Sequence, residues 1–288
     1  MNMIFLGTGA AEGLPCYYCR CDYCNEVRKR RGKDIRTRSS FRIDGKHQID
    51  FSPDIFSQMN TLGLDVFDLE HLLITHTHED HFDLAEIIAK ECAVDPHPRP
   101  LNIYLSKPAL SWAERLMDGY STHLSKEQRS ELKSRYVLVP LEYYETYSIG
   151  ELLVTPVKGS HRAFGEGELA NNYLIVLQSG KRILYASDTG WYSEETWGYL
   201  EGKKLDMLIM ECTFGGRQDR GMHVEGHLDI PNFLLMLERM QAIGLIDAQT
   251  PIYATHINHK HDLLHDDMQL VFDQSGFNVQ VAYDGLEI

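Results

Sequence analysis

Short apolar blocks recur along the 288-residue chain, and their spacing shifts between the period of a strand and that of a helix. Residues 3–6 are apolar and predict a first strand. Residues 40–43 and 47–51 flank Asp44-Gly45, a pair that favours tight turns, and predict a hairpin. Ser52-Pro53-Asp54 then opens a short helix, and residues 71–75 read as a buried strand. Over residues 83–91, Leu84, Ile87 and Ile88 share one helical face, with Asp83 placed to cap it. A strand at 101–105 precedes a polar helical stretch, 107–135, with Pro108 in its first turn. Strand pattern returns over 136–157, a second hairpin is predicted at 171–177 and 182–186, and a further strand covers 205–210. His227 is expected to begin a helix running through 240. A strand at 252–255, a helix at 262–274 and a last strand at 279–283 complete the pattern. No repeat or low-complexity linker divides these elements, so the expectation is one α/β domain over residues 1–288.

Composition narrows this picture. At 43% hydrophobic the chain can bury a full core, and it holds no run of about eighteen apolar residues that would span a membrane. Residues 1–11 lack the basic start and long apolar stretch of a secretory signal, so the expected location is cytoplasmic. The formal net charge of −14 argues against nucleic acid held by a broad basic surface. It leaves room for a small phosphorylated substrate in a metal-lined pocket, and for a homodimer.

The densest chemistry lies at residues 73–82, Leu-Ile-Thr-His-Thr-His-Glu-Asp-His-Phe, which carry His76, His78, Asp80 and His81. This loop leaves a strand and enters a helix, so both ends can be held rigid, as a metal site needs. Imidazole and carboxylate suit zinc, manganese or iron. Other predicted strands also lead into ligand-type residues: His161, Asp188, Glu211 and His256. Sites built at strand ends converge on one edge of a sheet sandwich, so these residues are expected to share a site with His76.

Six cysteines are present, four of them between Cys16 and Cys24. In a cytoplasmic chain such crowding favours metal over disulfide. Cys19, Cys21 and Cys24 form a Cys-x-Cys-x-x-Cys trio suited to tetrahedral zinc, with Cys16 competing for a place and a fourth ligand coming from elsewhere. Cys92 and Cys212 sit in helix and strand patterns and read as core fillers. The basic residues Arg28, Lys29, Arg30, Arg31, Lys33, Arg36 and Arg38 read mainly as a solvated helix face, with Arg38 nearest a strand and within reach of a substrate phosphate. The glycines of residues 7–13 read as a structural turn rather than a phosphate cradle.

His-x-His-x-Asp-His resembles the signature of the metallo-β-lactamase superfamily. The resemblance covers nearly the whole chain and implies a four-layer αββα sandwich with an N-terminal zinc knuckle at residues 16–24. It implies that His76, His78 and His161 bind one metal, that Asp80, His81 and His256 bind a second, and that Asp188 bridges them. Within the superfamily the chain looks most like the phosphoribosyl cyclic phosphate phosphodiesterases of the carbon–phosphorus lyase pathway. The Gly-Thr-Gly start, the cysteine trio and a histidine three residues after His256 carry that likeness. By it, His259 completes a structural zinc with Cys19, Cys21 and Cys24, and His227 matches a catalytic histidine. Relatives from pyrroloquinoline quinone biosynthesis share the knuckle but have a degenerate ligand set. The tRNA 3′-processing endonucleases share a Glu and His near Glu211 and His227 but carry a long RNA-gripping arm. The departures from the pattern are Cys16, the segment 107–135 and residues 217–224.

The implied cofactors are two divalent catalytic metals, zinc or manganese, and one structural zinc. Two cations about 3.5–4 Å apart bring the pKa of a shared water toward neutrality, and the hydroxide attacks phosphorus in line with the leaving oxygen. His227 is the expected proton donor to the leaving group, Glu211 orients it, and Asp80 acts as ligand rather than base. Rival readings are a tRNA 3′-processing-type endonuclease, a lactone or thioester hydrolase using the same hydroxide, and a non-catalytic metal-binding module.

Overall fold

The computed structural model describes residues 3–288, so Met1 and Asn2 of the opening segment lie outside the described residues. The first half of the chain builds one sheet from β1 (Ile4–Gly7), β2 (Ser40–Arg42), β3 (His47–Ile49), β4 (His71–Leu73), β5 (Leu101–Ser106) and β6 (Tyr136–Leu141), in that spatial order. The second half builds another from β7 (Tyr147–Ile149), β8 (Leu152–Arg162), β9 (Leu169–Val176), β10 (Arg182–Ala186), β11 (Met207–Glu211), β12 (Ile252–Thr255) and β13 (Val279–Val281), each beside its sequence neighbour. In each sheet antiparallel pairs give way to parallel ones: from β3 to β6 in the first, from β10 to β13 in the second. Parallel neighbours need crossovers, and helices supply most of them. The helices are α1 (Asp22–Arg30), α2 (Ile55–Leu62), α3 (Leu84–Ile88), α4 (Leu110–Tyr120), α5 (Lys126–Arg135), α6 (Glu194–Leu200), α7 (Ile230–Ala242) and α8 (His265–Asp273).

Alternation along the strands sorts side chains into three cores. Phe41, Ile49, Leu73, Tyr173, Tyr185 and Ile209 pack between the two sheets. Leu72, Ile74 and Ile103 turn the other way and meet Met59, Ala113, Met117 and Leu132 from α2, α4 and α5. On the second sheet Leu184, Ala186 and Leu208 meet Trp197, Phe233, Met236 and Phe272 from α6, α7 and α8. The result is the expected four-layer αββα sandwich.

Four expectations change. The stretch 107–135 is two helices, because Ser125 and Gln128 form a reciprocal capping box that starts α5 afresh. The helix expected at His227 begins at Ile230, because the Asp229 carboxylate caps the backbone N–H of Asn232 and Pro231 occupies the first turn. Cys92 is exposed at the end of a 3₁₀ turn, whereas Cys212 is buried as a core filler. Arg36 is buried rather than solvated, donating to Thr8 Oγ1 at 2.8 Å and the Ala282 carbonyl at 2.5 Å.

Candidate metal centre

The loop after β4 is fixed by two buried carboxylates. Asp50, just past β3, accepts from the Thr75 backbone N–H at 2.8 Å, the Thr75 hydroxyl at 2.9 Å and His81 Nδ1 at 2.7 Å. Glu168, before β9, accepts from the Thr77 N–H at 2.9 Å and its hydroxyl at 2.5 Å. The backbone N–H of His81 and of Phe82 both donate to the His78 carbonyl, which closes the turn. His76, His78, Asp80 and His81 are thereby turned inward.

The other expected residues arrive from the second sheet. His161 is the penultimate residue of β8, Asp188 follows β10, Glu211 ends β11 and His256 follows β12. Asp50, Asp188 and His256 all take left-handed backbone, with φ of 60°, 52° and 58°. Such φ values are unfavourable for residues bearing a Cβ, and they aim these side chains back over the sheet edge. Gly190 stands at φ 57°, and a Cβ there would come within 2.4 Å of the Gly226 nitrogen, so only glycine lets the His227 loop close against Asp188.

His78 Nδ1 lies 3.0 Å from His76 Nε2 and 3.1 Å from His161 Nε2. His81 Nε2 lies 3.2 Å from His256 Nε2 and 3.2 Å from an Asp80 oxygen. Asp188 reaches both groups: one oxygen is 3.9 Å from His76 and from His161, the other 3.3 Å from His81 and 3.2 Å from His256. All seven residues expected as ligands are therefore gathered into two adjoining sets that meet at Asp188. Neutral imidazoles carry one donor each, so three ring nitrogens this close cannot satisfy one another by hydrogen bonds. Their spacing approaches the roughly 3.3 Å between neighbouring donors on a tetrahedral zinc, so the donor set fits divalent metal.

Charge follows this packing. Burial, with His81 alongside, takes His76 well below the ordinary histidine range, and burial lowers His161 to about 4. Burial also opposes charge on His81, but Asp80, Asp188 and Asp50 together push it well above that range. Asp188 and Asp80 are likewise penalised by burial, yet the histidines around them hold both carboxyls well below the usual carboxylate value. Such opposed shifts in one cleft mark a site arranged around charge.

His227 stands in the loop before α7, with Nδ1 3.7 Å from Asp188, 3.8 Å from Glu211 and 3.3 Å from the Thr213 hydroxyl. Burial disfavours its charged form, but the two carboxylates raise it above the ordinary value. Among the described residues its Nε2 has no partner. Glu211 is fully buried and accepts from the Gly190, Thr213 and Leu228 N–H groups and the Thr213 hydroxyl. The half-buried side of the cleft is walled by Phe164, whose ring centroid is 4.7 Å from that of His78, and by Trp112, 5.0 Å from Phe164.

The sulfurs of Cys19, Cys21 and Cys24 lie within 4.8 Å of one another. Cys21 caps α1, and Arg28 donates to the Cys16 and Cys19 carbonyls at 2.8 and 2.7 Å. Cys16 and His259 stay outside this trio among the described residues. His259 Nδ1 lies 3.2 Å from the Glu12 carboxylate and makes no hydrogen bond among the described residues. Arg38, a candidate for substrate phosphate, is paired with Asp54 at 2.9 Å. Asp50 was not anticipated, although it obeys the same strand-end rule as the residues that were. Thr75 and Thr213, which hold histidine rings, carry no sequence signal of their own.

Residues 43–230 match the family model described as "Anti-Pycsar protein Apyc1", a span that includes His76 through His227 and leaves out His256 and the cysteine trio. "Coenzyme PQQ synthesis protein B" of Methylococcus capsulatus is 28% identical over 98% of this chain and 98% of its own length. The structure of Zn(2+)-bound PqqB from Methylobacterium extorquens covers 100% of this chain and 99% of that chain, with a TM-score of 0.72 and 20% identity. A diphosphatase from the PhnP family covers 100% and 96%, with a TM-score of 0.71 and 20% identity. These likenesses bear out the metallo-β-lactamase fold.

Proposed function

The chain belongs to the anti-Pycsar protein Apyc1 family, and from that premise we propose that it is a metal-dependent hydrolase that cleaves a cyclic or other small phosphodiester. The observation that carries this reading is the full set of seven convergent donors, with a separate histidine, His227, beside them. His76, His78 and His161 would hold one divalent metal, Asp80, His81 and His256 a second, and Asp188 both. When bound, such a metal pair polarises phosphoryl oxygens and lowers the pKa of water.

The chain's own residues prepare that chemistry. The Thr75 hydroxyl gives its proton to Asp50 and so accepts from His76 Nδ1–H at 3.0 Å. The Thr213 hydroxyl gives its proton to Glu211 at 2.6 Å and accepts from His256 Nδ1–H at 2.9 Å. Asp50 takes the Nδ1–H of His81. Each of the three rings is thus held in the tautomer that turns an Nε2 lone pair into the cleft. Burial disfavours the charged form of His227, but Glu211 and Asp188 favour it, which places His227 to pass a proton to the leaving alkoxide.

A net charge of −14 supports a small substrate over a nucleic acid. The segment 107–135 also speaks against a tRNA endonuclease, since α4 and α5 bury Ala113, Met117 and Leu132 in the core instead of projecting as an arm. The full-length alignment with a coenzyme synthesis protein favours one second reading, action on a small biosynthetic substrate through the same donors. Screening metal-loaded protein with bis(p-nitrophenyl) phosphate, a cyclic ribose phosphate, a lactone and a thioester tests both. Phosphodiester turnover is expected. Turnover of only the lactone or thioester contradicts the proposal, and turnover of none favours a non-catalytic role.

A further inference from the structure

His227 is clamped through the peptides on either side of it. After it, the Leu228 N–H donates to the Glu211 carboxylate at 2.9 Å. Before it, the Gly226 N–H donates to the Ser160 hydroxyl at 3.1 Å. That hydroxyl is free to accept because it gives its own proton to the Thr189 carbonyl at 2.8 Å. The same carbonyl takes the Ser160 backbone N–H at 2.7 Å, so Ser160 is fixed by main chain and side chain together.

The sheet prepares this position. The pairing of β8 with β9 breaks register between Lys158 and Arg162, which releases Ser160 from the ladder and turns it toward Thr189. A Cβ at residue 190 would stand 2.3 Å from the Ser160 oxygen, so glycine there leaves room for the hydroxyl. Ser160 thus joins three parts of the site. It precedes His161, bonds to the residue after Asp188 and holds the residue before His227.

A second tie on this side is the Val224 carbonyl, which accepts from the Trp191 N–H at 2.7 Å. Between Val224 and His227 lies Gly226, at φ 81°, where the lack of a Cβ leaves the chain free to turn. The Val224 tie therefore does not fix the His227 peptide, and the Ser160 bond does. The ring has a narrow slot to keep: its centroid lies 4.5 Å from that of His161 and 5.5 Å from that of His256. A proton donor must stand within hydrogen-bond reach of the leaving oxygen, so a swing of about 1 Å is costly.

We propose that Ser160 is a positioning residue for the proton donor: its hydroxyl locks the Gly226 peptide so that His227 faces the leaving oxygen. Its hydrogen bonds go to Thr189 and Gly226, so it acts through the loop. The inference rests on the phosphodiesterase reading above and adds to it the group that holds His227 in place.

A double-mutant cycle tests this. Ser160→Ala should keep the metal content of wild type. It should lower kcat by roughly 10- to 100-fold for a diester with a poor alkoxide leaving group, the cost of a misplaced catalytic group. With bis(p-nitrophenyl) phosphate, whose leaving group needs no proton, the loss should stay below about 3-fold. Added to His227→Ala, the same substitution should cost nothing more, because the group it positions is gone. A further loss in the double mutant, or equal losses with both leaving groups, would overturn the proposal. Hydrogen exchange keeps the two readings distinguishable. In Ser160→Ala the Leu228 amide, whose own acceptor is untouched, should exchange about 10-fold faster as the loop loosens. If the wild type turns over neither diester, the phosphodiesterase reading fails. Leu228 exchange at the wild-type rate then overturns the Ser160 tie as well.

Discussion

Asp188 and His256 meet 3.2 Å apart across the open edge of the second sheet, and each reaches the other from left-handed backbone, at φ 52° and 58°. Two residues from different strand ends are held in a conformation their own side chains disfavour, and the sandwich beneath them is what holds it. Such strain persists where surrounding structure over-determines it, and here it serves to place a carboxylate between two groups of histidines.

Asp50 is the residue on which the His81 side of the site depends most indirectly. Asp50→Asn keeps the shape but cannot accept equally from His81 Nδ1–H and Thr75. Metal affinity at the Asp80, His81 and His256 set should fall by roughly 10- to 100-fold, as for other residues that orient a metal-binding histidine. Competition with a chromophoric chelator measures this. Affinity equal to wild type would mean that Asp50 only fills space.

His227→Ala should retain metal yet slow phosphodiester hydrolysis by roughly 10²–10⁴-fold, the usual worth of a placed proton donor. The loss should shrink when the leaving group is p-nitrophenolate, which departs without a proton. An equal loss for good and poor leaving groups would make His227 a substrate-binding residue, and loss of metal would make it a ligand, which its 3.7 Å approach to Asp188 makes a meaningful alternative.

Away from the centre, His265 offers a pH prediction. Burial, with Arg36 beside it at 3.1 Å, lowers its pKa to about 4. A histidine whose folded pKa is depressed stabilises the fold above its unfolded pKa of about 6.5, and that contribution is lost as pH falls toward 4. Denaturant unfolding at pH 7.5 and pH 5 should show a smaller acid penalty for His265→Gln than for wild type. An identical penalty would remove His265 from the acid response.

Much of this site could be read from the chain because its rule is local. His76, His161, Asp188, Glu211 and His256 each end or follow a strand, and parallel strands deliver such residues to one edge. Asp50 obeys the same rule and was missed because a lone Asp after His-Gln-Ile lacks the density of the His76 loop. The misplaced start of α7 was legible too, since Asp229 and Pro231 together mark a helix start more strongly than His227 does. Arg36 was beyond local reading: its partners Ala282 and His265 lie more than 200 positions away, so nothing nearby distinguishes it from the exposed Lys29 and Arg30. His259 stays outside the trio of sulfurs and beside the Glu12 carboxylate, and its spacing from His256 does not show that.

The central claim is that Asp188 joins two metals in a site separate from the cysteine trio. Elemental analysis of gently purified wild type, Asp188→Ala and Cys21→Ser tests it most directly. About three metals per chain are expected in wild type, about one in Asp188→Ala and about two in Cys21→Ser, from a two-metal site and one structural site. A wild-type value near one, with no gain on adding zinc or manganese, would contradict it.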